Sequence, residues 1–328
     1  MRRGVFDTLR RGLDNTVANW GLVVIRVVEA LVFAAIAIAA ALAIIVPILV
    51  SIGIAVTDLS TPDDLENLVF SLVEKWVWLF WILAGVSALL VVFVAVHAFV
   101  EAGCARVAVD ADRIAGPATE GPRSRYRVFS MQRWLTGGKD GWWTVFWIYN
   151  FAWGVAGLIL LLPLIPTAVI MLLARETPPV LIASGCIGLA LTLMLFIVVA
   201  IVTSMWTTRA TADWAIERSG AAAALSGAWT AIKSDVGRHL LIAIAVIVVA
   251  MAGSSFFASF SYFAAFGEMF HRGAVVHVFT LPLRLLGTFL NWVFSAFVSS
   301  WYLAAFAALA VERASGTNGT HGTNGTNG

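Results

Sequence analysis

Charged side chains inside apolar runs are the first places to look for chemistry, because a charge at hydrocarbon depth is costly. In this chain such groups recur at one level of successive apolar stretches. Arg26 and Glu29 open the first, Glu101 and Arg106 close the second, and Arg209 and Asp213 close the fourth. The i,i+3 spacing of Arg26 and Glu29 and the i,i+4 spacing of Arg209 and Asp213 put each pair on one helix face. They are expected either to form structural ion pairs or to converge on a cytoplasm-facing pocket. A second set is uncharged: Asn150, Asn291, Ser255, Ser259, Ser295 and Ser299. Hydroxyls four residues apart share a helix face, where they can bond across helices or line a polar path through a bundle.

Beyond these groups the chemical inventory is thin, and the sequence predicts a protein that is not an enzyme. Acid, base and nucleophile candidates do not cluster. Gly138-Lys139 lacks the rest of a phosphate-binding loop. His271 and His277 have only Glu268 as a nearby acid, short of the three or four converging ligands zinc needs. No metal or other cofactor is expected. The net charge of +2 gives no reason to expect nucleic acid as a partner. Cys104 and Cys186 read as two separate thiols near opposite faces of the membrane.

The elements that must position these residues are transmembrane helices. Of the 328 residues 60% are hydrophobic and 12% charged, about half the charge of a typical soluble domain. A spanning helix needs about 20 apolar residues. The qualifying stretches are Ala30–Val56, Trp76–Val100, Trp143–Leu173, Val180–Trp206, Leu240–Gly267 and Leu285–Val311. The fold class is therefore all-α, a polytopic bundle of six transmembrane helices, with kinks expected at Pro47, Pro163 and Pro166. Trp76, Trp78, Trp81, Trp142, Trp143 and Trp147 suit interfacial anchoring.

Lys and Arg set the orientation. The N-terminal segment, the loop from Arg106 to Lys139 and the loop from Arg209 to Arg238 are rich in them. The other side has Lys75, Arg175 and Arg272, with Arg284 at the outer edge of the last helix and an acidic first loop at Asp58, Asp63, Asp64, Glu66 and Glu74. That loop also reads as a short helix capped by Thr61. Both termini are expected in the cytoplasm, in a cell membrane. Arg123, Arg125, Arg127 and Arg133 form a basic cluster suited to anionic lipid headgroups.

The chain also reads as one unit repeated three times, over 1–116, 117–220 and 221–316. Each unit has an amphipathic segment, an outward helix and a returning helix. The amphipathic stripes are Val5, Leu9, Leu13 and Val17, then Val128, Met131 and Leu135, then Leu225, Trp229, Ile232 and Val236. All three suit helices lying in the inner interface. Ala215-Ile216-Glu217-Arg218 matches Ala310-Val311-Glu312-Arg313, and Trp206 matches Trp301 at the same offset; Asp112-Arg113 before Gly116 is a weaker first copy. A chain of hairpins with positive inner loops would look similar without true repetition. Residues 1–315 form a single transmembrane domain, and the Gly/Thr/Asn-rich tail 316–328 is expected to be disordered.

The segment Ala210-Thr211-Ala212-Asp213-Trp214-Ala215-Ile216-Glu217-Arg218-Ser219-Gly220, followed by Ala224-Leu225, resembles a broad class of uncharacterised bacterial multi-pass membrane proteins. It is also similar to the membrane region attached to some glycerophosphodiester phosphodiesterases. The resemblance implies a helical domain of the bacterial inner membrane and no known activity. His271-Arg272-Gly273 echoes the start of that phosphodiesterase's catalytic barrel, but no paired carboxylates follow. Two functions stay open. One is a non-enzymatic scaffold or accessory subunit with a membrane protein partner; the alternative is a carrier or channel for a small solute or lipid. A central polar cavity would mark the carrier, and a dry packed centre the scaffold.

Overall fold

The computed structural model describes residues 3–52, 76–117, 121–173, 177–270 and 274–320, with side chains at 48–52, 76, 79, 178, 180–181, 261–279 and 316–320 not described. The acidic first loop and its Thr61-capped helix, His271-Arg272-Gly273, the side chain of His277, and residues 321–328 of the tail lie outside the described residues. The helix that ends the chain continues to Thr320, into the start of that tail.

Among the described residues all regular structure is helical. The order is α1 (Val5–Ala18), α2 (Gly21–Ile52), α3 (Trp76–Ala115), a 3-10 turn (Arg123–Tyr126), α4 (Met131–Leu173), α5 (Pro178–Glu217), α6 (Ala221–Ser234), α7 (Val236–Phe270) and α8 (Ala274–Thr320). Six of these are long and apolar enough to cross a membrane. Their exposed surfaces explain why lipid is the fitting solvent. Leu158, Leu162, Leu172, Leu173, Leu189 and Met194 are all more than 65% exposed, and an apolar surface that continuous is not left to water.

The helices are longer than the sequence reading expected. Runs of 40 residues in α3 and α5 and 43 in α4 reach about 60 Å at ~1.5 Å per residue. A hydrocarbon core is only about 30 Å thick, so each helix carries a second, polar-ended half. The chain divides into two compact units, Met1–Ile25 with Ala98–Gly328, and Arg26–His97.

The smaller unit is a helical hairpin. Phe33 packs on Phe93 with centroids 4.7 Å apart, and a Cβ on Gly85 would lie 2.8 Å from the Ile44 side chain. Beside this contact runs an apolar cleft of about 470 Å³, lined by residues including Ala40, Ile44, Trp81 and Gly85.

In the larger unit α4 pairs with α5 and α7 with α8, while α1 lies on α8 and α6 on α5. Its core draws on the ends of the three returning helices. Ala98, Ala102, Cys104, Ala105 and Ala108 of α3 join Ala210 and Ala215 of α5 and Leu303, Ala304 and Ala307 of α8 in one buried cluster. Small side chains let helix backbones approach closely. Gly12 shows how closely: a Cβ there would lie 2.7 Å from the backbone nitrogen of Ala305.

The amphipathic segments behave differently from the expectation. Two are separate helices of 14 residues, α1 and α6, each preceded by an extended glycine, Gly4 (φ −67°, ψ 165°) and Gly220 (φ −69°, ψ 163°). The third is not: Val128 precedes α4, and Met131 and Leu135 belong to its first turns without a break. Gly137, Gly138 and Gly141 do not interrupt that helix because they are packing points. Added Cβ atoms would lie 2.7 Å from Arg106 Cβ and 2.8 Å from Phe99 at the first two, and would run into the Trp214 ring at the third. The face of α1 turned to the protein is also largely polar, with Thr8, Arg11, Asn15 and Thr16 buried beside Leu9 and Gly12, whereas Val17 of the apolar stripe is exposed. On α6 the buried face is the expected apolar one, through Leu225 and Ile232, but Trp229 points outward at 40% exposure.

Candidate functional site

The polar half of the larger unit gathers most of the charged residues. Its deepest pair joins α1 to α3. Arg11 Nε and Nη2 donate to Asp112 Oδ1 at 3.0 and 2.8 Å, and Nη2 also donates to the carbonyl of Gly116 at 2.8 Å. Both side chains are 1% exposed. Gly116 can present that carbonyl because it takes a left-handed φ of 73° just past the end of α3, the conformation in which helices commonly end on glycine. Arg3 adds a second guanidinium 3.6 Å from Asp112 Oδ2.

A second pair joins α7 to α8. Arg238 donates to both Glu312 oxygens, at 3.1 and 2.7 Å, and to Thr8 Oγ1 of α1 at 2.9 Å. The backbone N–H of Arg3 also donates to Glu312 Oε1. Neither pair was anticipated, because partners 101 and 74 residues apart leave no local spacing to read.

Of the residues singled out in the sequence, Arg209 and Asp213 form the expected i,i+4 pair, with Nε at 3.0 and 3.1 Å from the two carboxylate oxygens. Arg106 pairs instead with Asp110, at 3.2 Å, and its Nη1 donates to the carbonyl of Ala215 at 3.3 Å. Glu101 is buried and accepts a long bond of 3.4 Å from Tyr149 Oη. Arg26 is 6% exposed. Glu29 lies 2.7 Å from His97 Nδ1, a partner the sequence reading missed because His97 is on α3 rather than α2. These groups are thus distributed over several local pairs.

The uncharged set is scattered too. Asn150 Nδ2 donates to its own helix at Phe146 O, and Ser259 Oγ to Phe256 O. Ser255, Ser295 and Ser299 are exposed. The Asn291 side chain is half-buried, with no hydrogen bond to its Oδ1 among the described residues. Cys104 is buried and Cys186 exposed, and the two are not joined in a disulfide.

Two further contacts show how the amphipathic helices are fastened. Trp206 Nε1 of α5 donates to the carbonyl of Leu225 in α6 at 2.8 Å, and Trp301 Nε1 of α8 donates to the carbonyl of Leu9 in α1 at 2.8 Å. The two tryptophans matched in sequence therefore make the same bond, each to the leucine at the fifth position of a 14-residue amphipathic helix. At the end of α5, Arg218 adopts a left-handed φ of 55° and lies over the Trp214 ring, 4.9 Å from its centroid. Burial, then the nearby Arg106, press its pKa below the ordinary arginine value, and Asp140 and Asp110 oppose them.

The basic cluster divides by use. Arg125 stacks over Tyr126, 5.0 Å from the ring centroid, and Arg133 donates to Val128 O at 2.8 Å. Arg123 Nε pairs with Asp14 at 2.7 Å, its side chain 63% exposed. Arg127 is exposed, and its side chain makes no contact with a polar partner among the described residues.

Comparison of this chain with protein-family models, with curated proteins and with solved structures finds no match.

Proposed function

We propose that this chain is a non-enzymatic membrane scaffold or accessory subunit, anchored by its apolar helices and offering a fixed polar surface at one face of the bilayer. The observation that supports this most is how the buried charges are used. Arg11 pairs with Asp112, Arg238 with Glu312 and Arg209 with Asp213, beside a closely packed, alanine-rich core. A buried charge pair that is broken is strongly destabilising, so the first two pairs hold α1 to α3 and α7 to α8, and the third braces α5, rather than turn over a substrate. The Lys and Arg bias supports a cytoplasmic location for this polar half and both termini, and the helix-end pattern around Glu217-Arg218 supports a bacterial inner membrane.

Mass spectrometry of the protein gently extracted with its native lipids tests the reading. A stoichiometric protein partner is expected. A lone protein carrying one specific solute would overturn the scaffold in favour of the carrier.

A further inference from the structure

We propose that the groove beside the turn between α1 and α2 binds the headgroup of an anionic phospholipid. The groove has a volume of about 500 Å³, with Val17, Trp20, Arg123, Ser124, Arg127 and Phe129 among its lining residues. It deepens the general attraction of a basic surface for anionic lipid into a defined site, independent of whether the protein is a scaffold or a carrier.

Three observations carry it. First, the walls are held in place. Asn19, 1% exposed, uses both ends of its amide: Nδ2 donates to Tyr126 O at 2.8 Å, and Oδ1 accepts from the N–H groups of Val128 and Phe129 at 3.0 and 2.9 Å. The Phe129 ring then lies against Gly21, where a Cβ would overlap it. The segment bearing Arg123 and Arg127 is thus fixed to the helix turn.

Second, two guanidinium groups there have donors to spare. Arg127 makes no ion pair or hydrogen bond through its side chain among the described residues, and Arg123 commits Nε to Asp14 while the side chain stays 63% exposed. A guanidinium fork matches the oxygens of a phosphate.

Third, the groove adjoins exposed apolar surface. Val17 is 39% exposed, Trp20 47% and Val24 50%. Tryptophan favours the headgroup level of a bilayer. A free phosphate gains nothing from these side chains, whereas the glycerol and first acyl carbons of a lipid would cover them. That difference selects the lipid over the soluble anion.

The test uses the full-length protein in detergent micelles, titrated with phosphatidylglycerol or with phosphatidylcholine of the same chains, and read by native mass spectrometry. The wild type should retain phosphatidylglycerol preferentially. Arg127→Gln breaks no bond in the fold and should weaken that retention about fivefold, and Arg123→Gln/Arg127→Gln more. Arg10→Gln removes the same charge from an exposed position on α1 outside the groove and should change it less than about twofold. Equal retention of the two lipids would overturn the proposal. So would equal losses in Arg10→Gln and Arg127→Gln, which would mean diffuse attraction only. Inorganic phosphate in a further arm should leave phosphatidylglycerol in place; displacement by millimolar phosphate, with Trp20→Ala unchanged from wild type, would show a free-anion site and overturn the lipid.

Discussion

Asp112→Asn is the perturbation with the clearest physical consequence. Asp112 accepts two bonds from Arg11 through Oδ1, both side chains are 1% exposed, and Arg3 lies 3.6 Å from Oδ2. The variant keeps the shape and an acceptor oxygen but removes the charge, leaving the Arg11 guanidinium buried without its carboxylate counter-charge. Breaking a buried pair from one side costs about 3–5 kcal/mol. Replacing both members behaves differently. Arg11→Met/Asp112→Leu removes both charges of the deepest pair; it strands the Gly116 carbonyl and takes the carboxylate from beside the more exposed Arg3, and should cost about 1–3 kcal/mol. The double variant should therefore be more stable than Asp112→Asn alone. Unfolding in mixed micelles, followed by tryptophan fluorescence, reads all of them. An Asp112→Asn protein within about 1 kcal/mol of wild type would refute the claim that this pair locks α1 to α3.

Other substitutions probe separate joints. Gly12→Val should force α1 off the Ala305 backbone and destabilise by about 1–3 kcal/mol, seen as faster proteolysis near residue 20. Gly227→Ala meets nothing within 4 Å and should stabilise α6 by about 0.5–1 kcal/mol, measured as a higher melting temperature. Asn19→Ala should cost about 2 kcal/mol or more by stranding three backbone groups, with faster hydrogen exchange at Val128 and Phe129. Trp206→Phe and Trp301→Phe should each cost about 1 kcal/mol; unequal losses in unfolding would show that the two indoles are not equivalent.

The membrane-spanning architecture was legible because runs such as those in α2 and α5 leave no other solvent for their side chains. The polar half was not legible. Leu303–Ala310 is as apolar as the span it continues, so composition alone assigned the end of α8 to the bilayer, whereas those residues are buried by neighbouring helices. Helix-local chemistry was readable: Arg209 and Asp213 pair at their four-residue spacing. Long-range pairing was not, since nothing near Arg11 points to Asp112. The Asn19 clamp was equally hidden, because an asparagine at a helix end reads as an ordinary cap. The second amphipathic stripe misled because hydrophobic spacing does not say where a helix stops. Around Val128–Leu135 no breaker follows, and the glycines downstream serve as contact points.

The central claim is that the meeting point of α3, α5 and α8 is closed and dry, and the chain supplies its own probe there. Cys104 is buried in that cluster, while Cys186 is exposed on α5. The measurement is thiol labelling of the full-length protein in liposomes with a small water-soluble methanethiosulfonate and, separately, a lipid-soluble maleimide. Cys104 should resist both until the protein is unfolded, and Cys186 should take the lipid-soluble reagent. Rapid modification of Cys104 by the water-soluble reagent in the folded protein would contradict the central claim, and would mean that an aqueous path runs through the centre.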